Sequence, residues 1–286
     1  MDKTPGDFTV HVVGLGLMGG SLAMALRDRC RRITADDVNP DVLRTAQAQG
    51  VIDGVGLNGG ADVVVLAIPA NQLVELIPQL SIPAGTLVID LGSTKTRICA
   101  QLDRLPGDVF AVGGHPMCGL AENGYANAIP TLYKGAHFVL CETARTTDAA
   151  RQQAEALACA VGAVPLWMDR EQHDYLTALT SHLPHLLSFA LMRLAMNAAD
   201  EDPALYDLAA GGFDGATRLA RTNADMITGM FSTNADQLRR LLPRLRAELE
   251  HFETLLDNVP GLQQDLGEIV QARRAYTASH GERPIS

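Results

Sequence analysis

A strand, a glycine-rich turn and a helix open the chain, strands and helices then alternate through its first half, and β-runs cease near residue 167. Together these predict an α/β Rossmann-type doubly wound parallel sheet domain over residues 1–167, followed by an all-α helical domain over 168–286. Phe8–Val13 is a strand, Met18–Arg29 a helix, Ile33–Asp37 a second strand and Asp41–Gln49 a short helix. Asp62–Ile68 (DVVVLAI) and Thr86–Asp90 (TLVID) are apolar runs without polar alternation, the pattern of parallel strands covered on both faces. From Glu171 onward helical patterns take over, across Glu171–Asp200, Pro203–Leu208, Asp225–Phe231 and Asn234–Asp257. In the last of these, Leu238, Leu241, Leu242, Leu245, Leu249 and Phe252 recur at near-helical spacing. Such a stripe is either core or the seam with a second copy, and a homodimer built through the helical half is expected. Residues Ala278–Ser286 read as a frayed tail.

Bulk properties narrow the function. With 286 residues, 47% of them hydrophobic, the chain can bury two cores. A formal net charge of -10 repels a phosphate backbone, so no nucleic-acid partner is expected. Five widely spaced cysteines with no CxxC pair suit reduced thiols rather than a disulfide framework or a zinc site. Phe8–Leu26 lacks Asp, Glu, Lys and Arg, yet Gly14, Gly16, Gly19 and Gly20 punctuate it as a strand, turn and helix rather than a membrane span. A soluble, cytoplasmic protein that does not engage a membrane is expected.

Val10–Gly19 (VHVVGLGLMG) sets Gly14, Gly16 and Gly19 in GxGxxG spacing between a strand and an apolar helix. Gly14 makes the tight turn, Gly16 lets the backbone approach a pyrophosphate, and Gly19 lets the helix pack on the sheet. The helix start offers free N–H groups to the phosphates, and Leu17, Met18 and Pro69 are assigned to the same cofactor site. An acid at the end of the second strand accepts hydrogen bonds from ribose hydroxyls and repels a 2′-phosphate, which favours NAD over NADP. Asp36 and Asp37 both qualify; Asp37 is preferred, with Val38 beside it supplying no positive charge.

Further candidates lie downstream. In LGSTK, Ser93 either caps the next helix or, with Lys95, emerges into a ligand site at the carboxyl ends of the strands. His115, in the run GGHPMCG, is either a structural loop residue or a base able to take an alcohol proton as hydride leaves the same carbon. Ser181-His182-Leu183-Pro184-His185 places two histidines near one helix face with no carboxylate at metal-ligand spacing, so no metal is expected. Pro184 bends or starts a helix there. A flexible glycine-rich run, GGFDGATR, delivers Arg218, which either pairs with Asp214 or grips a ligand carboxylate with its planar fork.

In order and spacing, GLGLMGGS, DLGSTK, HPMCG, SHLPH and GGFDGATRLA resemble the prephenate and arogenate dehydrogenases of tyrosine biosynthesis, from about Val10 to Asn234. The resemblance implies oxidative decarboxylation: NAD takes hydride from the ring carbon carrying the 4-hydroxyl, the ring carboxylate leaves as carbon dioxide, and the ring becomes aromatic. It implies His115 as hydrogen-bond acceptor and base for the hydroxyl, with Ser93 orienting the hydroxyl, His115 and the nicotinamide. Arg218 would bind a substrate carboxylate, and His185, with Ser181 one turn before it, would contact substrate from the helical domain. Three positions depart from the family pattern: an acid is replaced by Ala121 with Glu122 following, a tryptophan by Ile227, and an acid by Gly215 with Asp214 preceding. Reaction type is therefore better defined than the choice between prephenate and arogenate.

Two rivals remain. The β-hydroxyacid dehydrogenases share the opening motif but need a catalytic lysine in the helical half, whereas the lysines here are Lys3, Lys95 and Lys134. A non-catalytic NAD-binding regulatory module would keep the glycine loop but has no use for His115, Ser93, His185 and Arg218 together.

Overall fold

The structure, a computed structural model, describes residues 7–120 and 122–281. Its centre is an eight-stranded sheet of order β3-β2-β1-β4-β5-β6-β7-β8. These strands are β1 (Thr9–Val13), β2 (Arg32–Asp36), β3 (Gly54–Val55), β4 (Val63–Leu66), β5 (Leu87–Asp90), β6 (Phe110–Pro116), β7 (His137–Glu142) and β8 (Val164–Trp167). The first six are mutually parallel, β7 runs antiparallel to β6, and β8 is parallel to β7. An antiparallel neighbour needs no crossover helix, and among the described residues the β6 to β7 connection carries only a short 3-10 turn, Tyr125–Asn127.

The helices α1 (Leu17–Leu26), α2 (Pro40–Ala48), α3 (Ala70–Leu76), α4 (Thr96–Leu102) and α5 (Asp148–Ala160) cover the sheet. On β4, Val63 and Val65 join one core while Val64 and Leu66 join a second. That two-sided burial is why this strand shows no alternation, and each such side chain contributes about 1.5 to 3 kcal/mol of transfer free energy. The uncharged opening is explained the same way: β1 and α1 are largely buried inside the protein. Among the described residues no helix is long and apolar enough to cross a membrane.

After β8 the chain is helical: α6 (Arg170–Thr177), a π-helical segment Ala178–His182, α7 (Leu183–Glu201), a 3-10 turn Pro203–Leu208, α8 (Gly211–Thr217), a 3-10 turn Arg218–Arg221, and α9 (Ala224–Thr233). Then come α10 (Ala235–Leu255) and α11 (Val259–His280). By compactness the chain divides into Met1–Ala235 and Asp236–Ser286.

Several expectations are corrected. The run around His115 is a strand, not a loop. A side chain at Gly113 would collide with the Cys99 sulfur on α4, and one at Gly114 with the Asp90 carbonyl oxygen on β5, so these glycines permit close packing of β6 on both neighbours. The glycine-rich run before Arg218 forms helix α8. The single helical pattern over Glu171–Asp200 is interrupted by the π segment. Residues 278–280 of the expected tail are helical, while 282–286 lie outside the described residues. In the leucine stripe, Leu238 and Leu241 are buried but Leu249 is exposed.

Candidate active site

The first part of the site is a cradle at the carboxyl ends of β1, β2 and β4, on either side of the point where the strand order reverses. Gly14 has φ +92°, and a side chain there would meet the Ala67 carbonyl oxygen at 2.7 Å. At Gly19 a side chain would collide with the Gly14 carbonyl oxygen. Gly16 is different, since an added Cβ would find nothing within 4 Å. It lines a cavity of about 750 Å³ together with Gly14, Asp36, Asp37, Val38 and Pro69. Helix α1 starts beside it with no side-chain cap and no acid in its first turn. The first N–H groups, at Leu17, Met18 and Gly19, therefore present positive potential that no acid in the helix's own first turn offsets. The Leu17 side chain itself is core, and the Met18 carbonyl accepts from the Tyr133 hydroxyl at 2.7 Å.

The two acids behave differently. Asp37 accepts from the Leu15 N–H at 2.7 Å and from the Asn39 N–H at 2.8 Å, which ties it to the glycine loop. Asp36 lies 3.3 Å from the Nε2 of buried His11. Val38 is fully exposed. An open glycine, an uncapped helix start and a carboxylate on one cavity wall fit the pyrophosphate and ribose of a dinucleotide.

The second part centres on His115, near the carboxyl end of β6 and half-buried. Its Nδ1 lies 2.8 Å from Nε2 of His173 on α6, whose own Nδ1 lies 2.8 Å from Oδ1 of Asp174. Asp174 also accepts from the backbone N–H groups of Lys95 and Thr96, at 2.7 and 2.8 Å, and so caps α4 from a distant element. Burial first, then the neighbouring His173, Lys95 and His182, push His115 well below the ordinary histidine range. Burial also lowers His173. Although burial opposes ionisation of Asp174, its hydrogen bonds from His173, Thr96 and Lys95 outweigh this and hold the carboxyl below its usual range.

The π segment shapes the helical side of the site. The Leu183 N–H reaches back to the Ala178 carbonyl, and this widened turn leads without a break into α7, whose second residue, Pro184, has no N–H to give to the turn before it. Buried His182 faces Asn234, whose side-chain amide lies 3.0 Å from His182 Nδ1, and burial pushes His182 down to about 4. One turn on, half-buried His185 donates from Nδ1 to the Ser181 carbonyl at 2.9 Å. Burial and the nearby Arg218 charge lower its pKa, partly opposed by that hydrogen bond. Arg218 opens the 3-10 turn after α8 and is half-buried. A chain of electrostatic neighbours therefore runs from His115 to His182, from His182 to His185 and from His185 to Arg218.

Ser93 is half-buried on the loop between β5 and α4 and does not cap α4, whose N-cap is Lys95. Lys95 requires a correction as a substrate contact. Its side chain is 0% exposed, ion-paired with Asp90 and bonded to the Gly114 carbonyl. Asp90 in turn accepts from the Gly114 N–H at 3.0 Å and from the Gly92 N–H at 2.9 Å. The buried pair therefore braces the backbone next to His115. His173, Asp174 and Asn234 escaped the sequence reading. Their signal was local but unassigned: three of eight histidines fall between residues 173 and 185, and an adjacent His-Asp pair opens that run. Among the described residues no cluster of three or more His, Cys, Asp or Glu side chains could hold a metal ion. Glu122 is exposed, and Ala121 lies outside the described residues.

Comparison with known proteins agrees with both halves of this layout. Residues 22–166 match the prephenate dehydrogenase nucleotide-binding domain, and residues 169–272 match the prephenate dehydrogenase dimerization domain. The chain is 32% identical over 262 residues to a prephenate dehydrogenase of Lactococcus lactis subsp. cremoris, covering 87% of this chain and 70% of that protein. A crystal structure of Aquifex aeolicus prephenate dehydrogenase with hydroxyphenyl propionate and NAD+ superposes with a TM-score of 0.88 at 27% identity, covering 96% of this chain and 99% of the other. Synechocystis arogenate dehydrogenase gives a TM-score of 0.78 at 28% identity, covering 94% and 99%. With a dinucleotide cradle on the sheet and both family domains matched in order along the chain, this protein is an NAD-dependent oxidoreductase belonging to the prephenate dehydrogenase family.

Proposed function

We propose that the chain catalyses oxidative decarboxylation of prephenate to 4-hydroxyphenylpyruvate, with residues 1–167 holding NAD and residues 168–286 supplying substrate contacts and the dimer interface. The observation that carries this reading is His115, a neutral half-buried imidazole at the carboxyl edge of the sheet that bears the nucleotide cradle. A base with a depressed pKa is in its acceptor form at neutral pH.

NAD, when bound, supplies the acceptor for the hydride leaving the ring carbon that bears the hydroxyl. Gly16 and the start of α1, in the turn that Gly14 and Gly19 make possible, would hold its pyrophosphate and Asp37 its ribose, and Pro69 lines the same cavity. His115 takes the hydroxyl proton as the C–H bond breaks, and the O–H electron pair forms the carbonyl. Loss of the ring carboxylate as carbon dioxide returns an electron pair to the ring, and His115 hands the proton back to the phenolate oxygen. No net proton is consumed. Ser93 orients the hydroxyl, Arg218 binds a carboxylate, and His185, whose Nδ1 is engaged by the Ser181 carbonyl, contacts the substrate through Nε2. Lys95 acts from beneath by bracing Gly114.

Arogenate is the second reading, because identity to the arogenate and prephenate dehydrogenase structures is 28% and 27%, which does not separate them. The deciding experiment measures kcat/KM for both substrates with NAD and with NADP. Prephenate with NAD is expected to be the best pair; a clear preference for arogenate assigns the second reading, and turnover of neither refutes both. Asp37→Ser is expected to weaken NAD and ease entry of NADP; a wild type that favours NADP would remove Asp37 from its role.

A homodimer in the cytoplasm is part of the proposal. Exposed Leu187, Leu191 and Leu194 recur along α7, and exposed Leu266, Ile269 and Val270 along α11, within a segment matched to a dimerization domain. Light scattering is expected to give twice the chain mass at micromolar concentration; the mass of one chain would refute it.

A further inference from the structure

We propose that His173 and Asp174 fix the tautomer of His115, so that its Nε2, and not its Nδ1, is the atom that accepts the substrate proton. The inference rests on the reading of His115 as the base, and names two positioning residues behind it.

Asp174 is buried and receives the backbone N–H groups of Lys95 and Thr96 at the first turn of α4, an environment that keeps it an anion. A carboxylate only accepts, so the 2.8 Å contact from His173 Nδ1 requires a proton on that nitrogen. A neutral imidazole carries one N–H, which leaves His173 Nε2 as a lone pair. That lone pair lies 2.8 Å from His115 Nδ1, and two lone pairs cannot face each other at that distance. His115 therefore carries its proton on Nδ1 and keeps its lone pair on Nε2. When Nε2 gains the substrate proton, the imidazolium formed donates through His173 toward the Asp174 anion, so the interaction strengthens as charge develops.

The surrounding groups are consistent with this state. From β5 and α4, the Lys95 ammonium and its Asp90 partner lie beside the pair. From the π segment, His182 is pushed down to about 4 by burial and stays neutral. From α4 and β7, burial raises the Cys99 and Cys141 thiols, so both remain uncharged. Asp174 is the anion in direct contact with His173.

The test combines nitrogen NMR of histidine-labelled protein with kinetics of two variants. In the wild type at neutral pH, His115 is expected to show a protonated Nδ1 and a bare Nε2. His173→Leu removes the acceptor, and is expected to erase that single tautomer and lower kcat by about 10- to 100-fold with little change in KM or in NAD affinity measured by calorimetry. His173→Gln, whose amide oxygen can accept from Nδ1, is expected to recover part of the loss. A wild-type His115 with its proton on Nε2 overturns the proposal, as does a folded His173→Leu protein with unchanged kcat. Should His173→Leu fail to fold, the wild-type tautomer decides alone. Failure of the base reading itself is distinct: His115→Asn would then turn over normally whatever the tautomer.

Discussion

His115→Asn is expected to lower kcat for prephenate by about 10²- to 10⁴-fold, the range typical of losing a general base, while the Michaelis constants move little. The asymmetry follows from where the interaction matters. An asparagine amide can still accept a hydrogen bond from the 4-hydroxyl in the ground state, but cannot hold the proton as the C–H bond breaks, so the loss falls on the transition state. The pH dependence gives an independent reading. Burial and the nearby His173, Lys95 and His182 depress His115, so the base form persists below the ordinary imidazole value. Activity should fall as pH drops through this depressed pKa, on an acidic limb lying below about pH 6.5, the unperturbed value for histidine. The variant should lack that limb. Near-normal kcat, or an unchanged limb, would take His115 out of the mechanism.

The second large effect is expected at Arg218. Its charge stands next to His185 at the end of α8, on the helical side of the site. A carboxylate held equally in ground and transition states contributes to KM rather than to kcat. Arg218→Gln is therefore expected to raise the prephenate KM by about 10- to 100-fold, matching the roughly 1.5 to 3 kcal/mol of a charge-assisted hydrogen bond, with the NAD KM nearly unchanged. Arg218→Lys should recover only part of this, since a point charge lacks the planar two-pronged fork. An unchanged prephenate KM in Arg218→Gln would leave the arginine a structural role alone.

What could be foreseen from the residues follows how local each feature is. The glycine cradle was legible because Gly14, Gly16 and Gly19 act within one turn, and β4 and β5 because an apolar run declares a strand buried on both faces. The strand holding His115 was not, because glycines beside a proline read as a loop until Asp90, Cys99 and Phe138 are seen filling the space their side chains would need. Lys95 misled for a similar reason: its partner Asp90 is five residues away, but the burial that makes them a sealed pair comes from the assembled sheet. The contacts of Asp174 with Lys95 and Thr96 span 79 and 78 residues, and that of His173 with His115 spans 58. No periodicity along the chain encodes such a meeting. His185 and Arg218 were named from motifs, while the π turn that widens the helix before Pro184 emerged only in three dimensions.

The most direct test of the proposed reaction is a product balance. Purified protein incubated with NAD and limiting prephenate should form NADH, carbon dioxide and 4-hydroxyphenylpyruvate in equal amounts, with no intermediate ketone accumulating. Protein that binds NAD yet yields no NADH from prephenate or arogenate, or that yields NADH without carbon dioxide, would contradict it.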